Sequence, residues 1–318
     1  MSDLPNAPVE ALVIGGGPAG LSAALYLAAT TARWCCSMPA TVARTGPRST
    51  ITTSAFPVGS PRALRELGRR QLADYPQVRI VEEQVTAIAS DGASFTAGAA
   101  CGSWQAPAVI LCVGVADHFP GFPGWETYVG RSLFWCITCD GYGCKGARVV
   151  VTGESDGAAE LALQLQRFTP QITLLTDSPA CEITPTFRAR LRRAEIPLII
   201  DTIAEARGAN DQFAAICTGG GQWLELDQLF SYRPASPKTQ LAADLGVALS
   251  SQGYIQVDTE QKANLPGVFA AGDATRLHAH QITTAVHEGG QAASAANYYL
   301  YPRELTTEGV PEATEVRA

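Results

Sequence analysis

Cys136 and Cys139 are two residues apart, and Asp140 follows at once, in the stretch FWCITCDGYG from Phe134 to Gly143. Such a pair can do dithiol–disulfide exchange. One thiolate attacks a substrate disulfide and its neighbour resolves the mixed disulfide. The spacing also lets the pair close a disulfide at a helix start, where a thiolate is stabilised. The adjoining carboxyl can supply or accept the proton. A structural zinc site would want a second cysteine pair. Cys35 and Cys36 are adjacent and Cys144 stands apart, so no metal is expected. Nine cysteines in 318 residues is an odd number. It fits poorly with a secreted disulfide framework and points to a reducing, cytoplasmic compartment.

A second cluster is GGGPAG, with Gly15, Gly17 and Gly20 in GxGxxG spacing and Pro18 and Ala19 between them. It follows an apolar run and opens an apolar helix. The first glycine permits the tight turn, the second lets backbone approach a pyrophosphate, and the third lets helix pack on strand. The helix start then offers amide donors to an anion. The acid that holds ribose hydroxyls, about 20 residues further on, is missing: no Asp or Glu occurs between Glu10 and Glu66. Ser37 or the backbone must serve instead. Near the end, GVFAAGDA presents Gly272 and Asp273 after a short strand, so Asp273 can reach a ribityl chain. The helix beginning around HQITTAV brings His280, Gln281 and Ile282 to the same end.

These groups need elements to hold them. Residues 11–29 read as strand, glycine turn and helix, and residues 147–168 repeat that order. Residues 108–114, 172–176, 253–258 and 267–273 read as strands, and a helix is expected from about Gln281 to Tyr298. The part from Pro302 is polar and expected to be loose. The fold class is α/β: two doubly wound, Rossmann-like domains, the second inserted into the first. The expected division is 1–116 with 246–318 around 117–245. Hydrophobic residues are 46% and charged residues 17%, a globular balance, and the net charge of −7 argues against a nucleic-acid surface. No apolar run approaches the roughly 20 residues of a membrane span, and the N-terminus lacks the pattern of a signal peptide.

Together, GGGPAG, CITCDG, the second turn at Gly153 and GVFAAGD…HQI resemble the low-molecular-weight thioredoxin reductase family, in order and spacing, over about residues 8 to 300. The resemblance implies an FAD domain made of two segments, a smaller inserted domain carrying the dithiol, and a homodimer. It implies that Cys139 lies nearest the flavin, that Cys136 exchanges with substrate, and that Asp140 moves protons.

The second turn departs from the family. It reads Gly153-Glu154-Ser155-Asp156-Gly157-Ala158, with Ser155 in place of the middle glycine and two acids where an anion would sit. The family carries His-Arg-Arg at the end of the next strand, a cationic clamp for the 2′-phosphate of NADPH; this chain has Thr176-Asp177-Ser178. NADPH is therefore not expected, although Asp177 is compatible with the plain ribose of NADH. Known branches of the fold do without NADPH. One takes electrons from ferredoxin to reduce thioredoxin. Another oxidises small dithiols with oxygen. A third, the diflavin-linked disulfide oxidoreductases of oxygenic photosynthetic bacteria, holds a second FAD beside the first. The chain most resembles this third branch, which implies two FADs per chain and electron flow from thiol to flavin. Trp34 lies in the region where the ribose acid belongs, and Trp135 flanks the dithiol; each is a candidate face for an isoalloxazine or adenine, and each is equally compatible with a core role. The expected partner is a dithiol or disulfide protein, or a small thiol; a membrane-associated redox partner is compatible. His287 reads as a helix-surface or dimer-contact residue, and Cys112 and Cys144 as buried bystanders. A degenerate flavin-binding scaffold is the non-enzymatic alternative, opposed by the intact Cys136, Cys139 and Asp140.

Overall fold

The computed structural model describes residues 9–30, 34–37, 61–278 and 280–306, with backbone alone for 34–37. The chain forms two compact units. Among the described residues, unit 1 takes those before residue 38, Arg65–Val115 and those from Pro237; unit 2 takes 61–64 and Ala116–Ser236. The return crossing falls ahead of the 245/246 boundary read from sequence. The physical reason is that helix Gln240–Asp244 buries Ala242, and Val247 follows it, in the unit 1 core beside Ile14 and Val268.

Unit 1 is built on a five-stranded parallel sheet in the order Val268–Ala270, Ala108–Leu111, Ala11–Ile14, Trp34–Ser37, Val78–Val81. Ala11–Ile14 and its neighbour Ala108–Leu111 are apolar and buried throughout, as strands inside a parallel sheet covered on both faces require. Helix Pro18–Ala29 and helix Ile282–Leu300 pack together on one face, burying Ala19, Ala23, Leu27, Ala292 and Ala296. Their closest approach depends on Gly289, where a Cβ would lie 2.1 Å from the Ala19 carbonyl oxygen. A three-stranded antiparallel sheet, Ala87–Ser90, Phe95–Ala99 and Gly102–Ala106, contributes to a second core cluster of unit 1.

Unit 2 repeats the plan, with parallel strands in the order Leu198–Ile199, Ile172–Leu175, Val149–Thr152, Gln228–Ser231, Leu133–Phe134. Helices Asp156–Leu165 and Pro185–Arg193 cover one face through Ala158, Leu161, Leu165 and Leu191. A three-stranded antiparallel sheet, Ile203–Ala209, Gln212–Thr218 and Trp223–Glu225, shares the opposite cluster with Phe122, Tyr128 and Leu229. The doubly wound reading is thus seen in both units.

One expected strand is not there. Residues 253–258 form no ladder, only an isolated bridge between Leu249 and Ile255. Their amides are dispersed instead: Tyr254 donates to Ser250 Oγ, Ile255 to the Ala274 carbonyl, and Gln256 to the Ala248 carbonyl. The run reads as a strand, but its donors divide between the 248–250 segment and Ala274. Of the expected tail from Pro302, residues 307–318 lie outside the described residues, while Arg303–Leu305 form one 3-10 turn. No helix among the described residues is long and apolar enough to cross a membrane.

Candidate active site

The three spaced glycines of the unit 1 turn have different surroundings. Gly15 has φ +122°, and a Cβ there would meet the Cys112 carbonyl oxygen at 2.1 Å. At Gly20 a Cβ would lie 1.9 Å from the Gly15 carbonyl oxygen, so the helix sits directly on the turn. At Gly17 a Cβ would meet nothing within 4 Å. That open space, at the start of a 12-residue helix with Pro18 in its first turn, is where backbone amides can receive a pyrophosphate. Gly20→Ala is expected to destabilise unit 1 by about 2–3 kcal/mol or prevent its folding. Gly17→Ala, whose φ of −81° suits any residue, should leave stability nearly unchanged and weaken flavin retention instead. Thermal melts read beside flavin content per chain separate the two effects.

Gly272 closes on the same turn. Its φ is +81°, and a Cβ would lie 2.9 Å from the Ala19 Cβ. Asp273 follows, half-buried, in the short turn Asp273–Thr275. The structure therefore brings Gly15, Gly17, Pro18, Ala19 and Gly20 together with Gly272 and Asp273. Gln281 caps helix Ile282–Leu300, with Ile282 its first residue. His280 Nε2 lies 2.8 Å from the Arg276 carbonyl oxygen, which can only accept, so that nitrogen carries the proton. The Tyr254 ring is 6.1 Å from that of His280, and burial, followed by the Asp273 charge, pushes its phenol up from the ordinary range. A groove lined by Tyr254, Gln256, Thr275, Arg276 and Leu277 runs beside this segment. His287 is exposed.

Sequence reading missed Glu288. It is only 1% exposed, yet carries a carboxylate. Its Oε2 accepts from the Gly272 N–H at 2.9 Å, and its Oε1 pairs with the Arg276 guanidinium. It thereby ties the Gly272–Asp273 turn to the helix. The signal was present as a lone acid among Ala285, Gly289 and Ala292 on a helix stripe of small residues. Beside it Cys112 is buried, and its thiol is pushed up to about 12, first by desolvation and then by the Glu288 charge. Cys112 is accordingly an inert core thiol.

Ser37 and Trp34 lie on the second strand of the unit 1 sheet. The register pairs Ser37 with Ile14 and Trp34 with Ala11. Ligands of such sheets bind beyond the carboxyl ends of the strands, and Ser37 lies at that end of its strand and the Trp34 backbone at the opposite end. The expectation that Trp34 stands in the ribose position is corrected by that register. The side chains of residues 34–37 lie outside the described residues.

In unit 2, Cys136 and Cys139 are joined as a disulfide, with their Cα atoms 5.2 Å apart. Cys136 precedes the single helical turn Ile137–Asp140, and the Cys139 N–H donates to Cys136 Sγ at 3.1 Å. Asp140 ends that turn, half-buried, its own N–H bonded to the Cys136 carbonyl. Gly141 is fixed by Phe168, whose ring an added Cβ would meet at 2.8 Å. Trp135 is half-buried and edge-on to Phe119, with ring centroids 5.1 Å apart, in the aromatic cluster of Phe122 and Tyr128. Cys144 is fully buried and its thiol donates to the Gly141 carbonyl at 2.9 Å; burial pushes its pKa up.

At the end of the second strand of unit 2, Asp177 is almost covered and both its oxygens are engaged. Ile203 N–H donates to Oδ1 at 2.9 Å and Arg233 Nη2 to Oδ2 at 2.7 Å. Asp156 Oδ1 accepts from the Thr184 N–H at 2.7 Å. Among the described residues no group of three His, Cys, Asp or Glu side chains could hold a metal ion.

The chain matches the pyridine nucleotide-disulphide oxidoreductase family over residues 9–289. It is 28% identical to the thioredoxin reductase of Treponema pallidum, over 92% of this chain and 97% of that protein. The solved thioredoxin reductase of Streptococcus pyogenes superposes with a TM-score of 0.83 at 26% identity, covering 93% of this chain and 99% of that one. An atypical thioredoxin reductase from Desulfovibrio vulgaris gives 32% identity and a TM-score of 0.51, over 92% of this chain and 98% of that one. That family implies FAD, and unit 1 fits it: open space at Gly17 before free helix amides, and a carboxylate on the turn that packs against Ala19. The chain therefore belongs to the pyridine nucleotide-disulphide oxidoreductase family, as a flavin-dependent disulfide oxidoreductase of thioredoxin reductase type.

Proposed function

We propose that the chain oxidises substrate dithiols through Cys136 and Cys139 and passes the electrons to flavin without NADPH, with two FADs held side by side. The observation that supports this most is Asp177. Where a 2′-phosphate would need cations there is a buried carboxylate, and the Arg233 guanidinium beside it is already bound to it. The same engagement removes Asp177 as an acceptor for the ribose of NADH.

FAD, when bound, accepts or gives an electron pair. Gly15, Gly17, Pro18, Ala19 and Gly20 would hold its pyrophosphate, Asp273 its ribityl chain, and Ser37 its adenosine ribose. His280, Gln281 and Ile282 would face its ring. The chain's own chemistry is exchange. A substrate thiolate attacks Cys136 Sγ, the Cys136–Cys139 bond breaks, and Cys139 leaves as a thiolate. The second substrate thiol then displaces Cys136, so the substrate ends as a disulfide and the pair as a dithiol. The Cys139 N–H that faces Cys136 Sγ stabilises its thiolate as it forms. Asp140 takes and returns the protons. A thioredoxin-type protein is the first substrate to try. The reading includes an FAD domain in two segments around the dithiol unit, a homodimer and a cytoplasmic location. The exposed Val286, Tyr298 and Tyr299 on the last long helix suit a dimer contact. Trp135 is retained as a candidate neighbour of the second flavin.

The test is cofactor stoichiometry. Denature the purified protein, separate the released flavin and quantify it against chain. A ratio near two is expected, together with no bleaching of the flavin band by micromolar NADPH without oxygen. A ratio fixed at one with added FAD rejects the second flavin; rapid bleaching rejects NADPH independence.

A second reading, reduction of thioredoxin by electrons from ferredoxin, is favoured by one feature. Arg190, Arg192 and Arg193 on helix Pro185–Arg193 and Arg167 nearby are all exposed, a local cationic face on an acidic chain that suits an acidic iron–sulfur protein. Flavin reduction by reduced ferredoxin, lost at high salt, would support it.

A further inference from the structure

The two units can be compared position by position, because each has a central strand flanked by a parallel neighbour in the same register. In unit 1, Ile14 pairs with Leu111 and the next residues are Gly15 and Cys112; the Cys112 N–H donates to the Ile14 carbonyl at 2.8 Å. In unit 2, Thr152 pairs with Ser231 and the next residues are Gly153 and Tyr232; the Tyr232 N–H donates to the Thr152 carbonyl at 2.7 Å. Tyr232 is thus the counterpart of Cys112, at the switch point where open parallel sheets take their ligands.

The consequence of the exchange is steric. Cys112 is small and buried, and at Gly17 on the same glycine turn a Cβ would meet open space. Tyr232 is large and 37% exposed, and its ring lies over the first turn of helix Asp156–Leu165. A Cβ at Gly157 would fall 2.2 Å from both the phenol oxygen and the ring carbon that bears it. A Cβ at Gly153 would fall 2.9 Å from the Tyr232 carbonyl oxygen. Gly157 therefore makes room for the chain's own ring. The ring covers the helix start that in a dinucleotide fold receives the pyrophosphate.

We infer that Tyr232 is the residue that excludes dinucleotides from unit 2, by filling their pyrophosphate seat. This rests on the proposal that the enzyme does without NADPH, and gives that proposal a single side chain to remove.

The experiment titrates NADH and NADPH, separately and without oxygen, into the full flavin-loaded protein by calorimetry. It compares wild type with Tyr232→Ala and Tyr232→Phe. The expected result is no resolvable binding at millimolar nucleotide for wild type and Tyr232→Phe. Tyr232→Ala should bind at least one nucleotide with affinity about tenfold or more above that limit. Flavin content and flavin reduction by dithiothreitol report folding, and Tyr232→Leu replaces the alanine variant if that one loses flavin. If both truncations keep their flavin and bind no better than wild type, Tyr232 is not the barrier, and the inference fails while NADPH independence stands. If wild type itself binds NADPH at micromolar concentration, both fall.

Discussion

Replacing Cys139 by serine is expected to stop turnover of dithiol substrates, a loss of about three orders of magnitude or more. The reason is that exchange needs both sulfurs. One receives the substrate thiolate and the other must leave and later hold the electron pair, and a serine hydroxyl does neither at neutral pH. Cys136→Ser should cost as much in turnover but differ in spectrum. It leaves the Cys139 thiolate intact, so a long-wavelength band of thiolate against oxidised flavin should remain, whereas Cys139→Ser should lose it. A band kept by Cys139→Ser and lost by Cys136→Ser would reverse the assigned roles. Asp140→Asn belongs to the same series. It should slow the reaction by about 10²-fold or more and leave flavin content unchanged, since its proposed task is proton transfer. Steady-state rates and absorbance spectra of the three variants make the comparison.

A large stability effect is also expected at Glu288. Glu288→Leu removes the carboxylate and leaves the buried Gly272 N–H without its acceptor and the Arg276 guanidinium without its counter-charge. An unmet buried amide costs about 1–3 kcal/mol. Breaking a buried ion pair from one side costs about 3–5 kcal/mol, less here because the Arg276 side chain is 40% exposed. A total loss of about 3 kcal/mol is expected. Glu288→Gln retains an oxygen for Gly272 and should lose about 1 kcal/mol. Urea denaturation followed by far-ultraviolet dichroism gives both numbers. Because the Gly272–Asp273 turn closes on Ala19, flavin release should precede unfolding in the leucine variant. Equal stability of the leucine variant and wild type would mean that the carboxylate does not organise the turn.

These two sites mark where sequence alone suffices and where it stops. The dithiol, the glycine turn and the strand–turn–helix repeats are local patterns, in which the chemistry and the backbone demand lie within a few neighbouring residues. Gly15, Gly17 and Gly20 could be given separate tasks before any coordinates, and each task has its geometric counterpart. Glu288 was only half legible, for the opposite reason. Its partners are backbone and side chain on another element, and on the helix itself it looks like one solvated acid. Asp177 was legible as an acid in place of the clamp, but its partner Arg233 is 56 residues further along. Tyr232 carries no motif; its meaning comes from a register between parallel strands. Residues 253–258 show the converse failure. The run GYIQVD reads as a strand, yet a strand also needs a neighbour to accept its amides along its length, and a short run is silent about neighbours.

Tyr232 also has a bearing on the history such a chain can have. A ring that fills a binding seat adds cohesion to the unit around it, whether or not a ligand is ever met. Truncating a wholly buried aromatic costs about 3–5 kcal/mol, and this partly exposed ring should cost less. Small residues would have to return there before any nucleotide could repay the lost packing. Abandoning the site by plugging it runs downhill, and reopening it begins with an uphill step. On the proposed reading, the second Rossmann-like unit keeps its frame as scaffold for the dithiol, and opening its helix start to a nucleotide begins with the loss of that ring's packing.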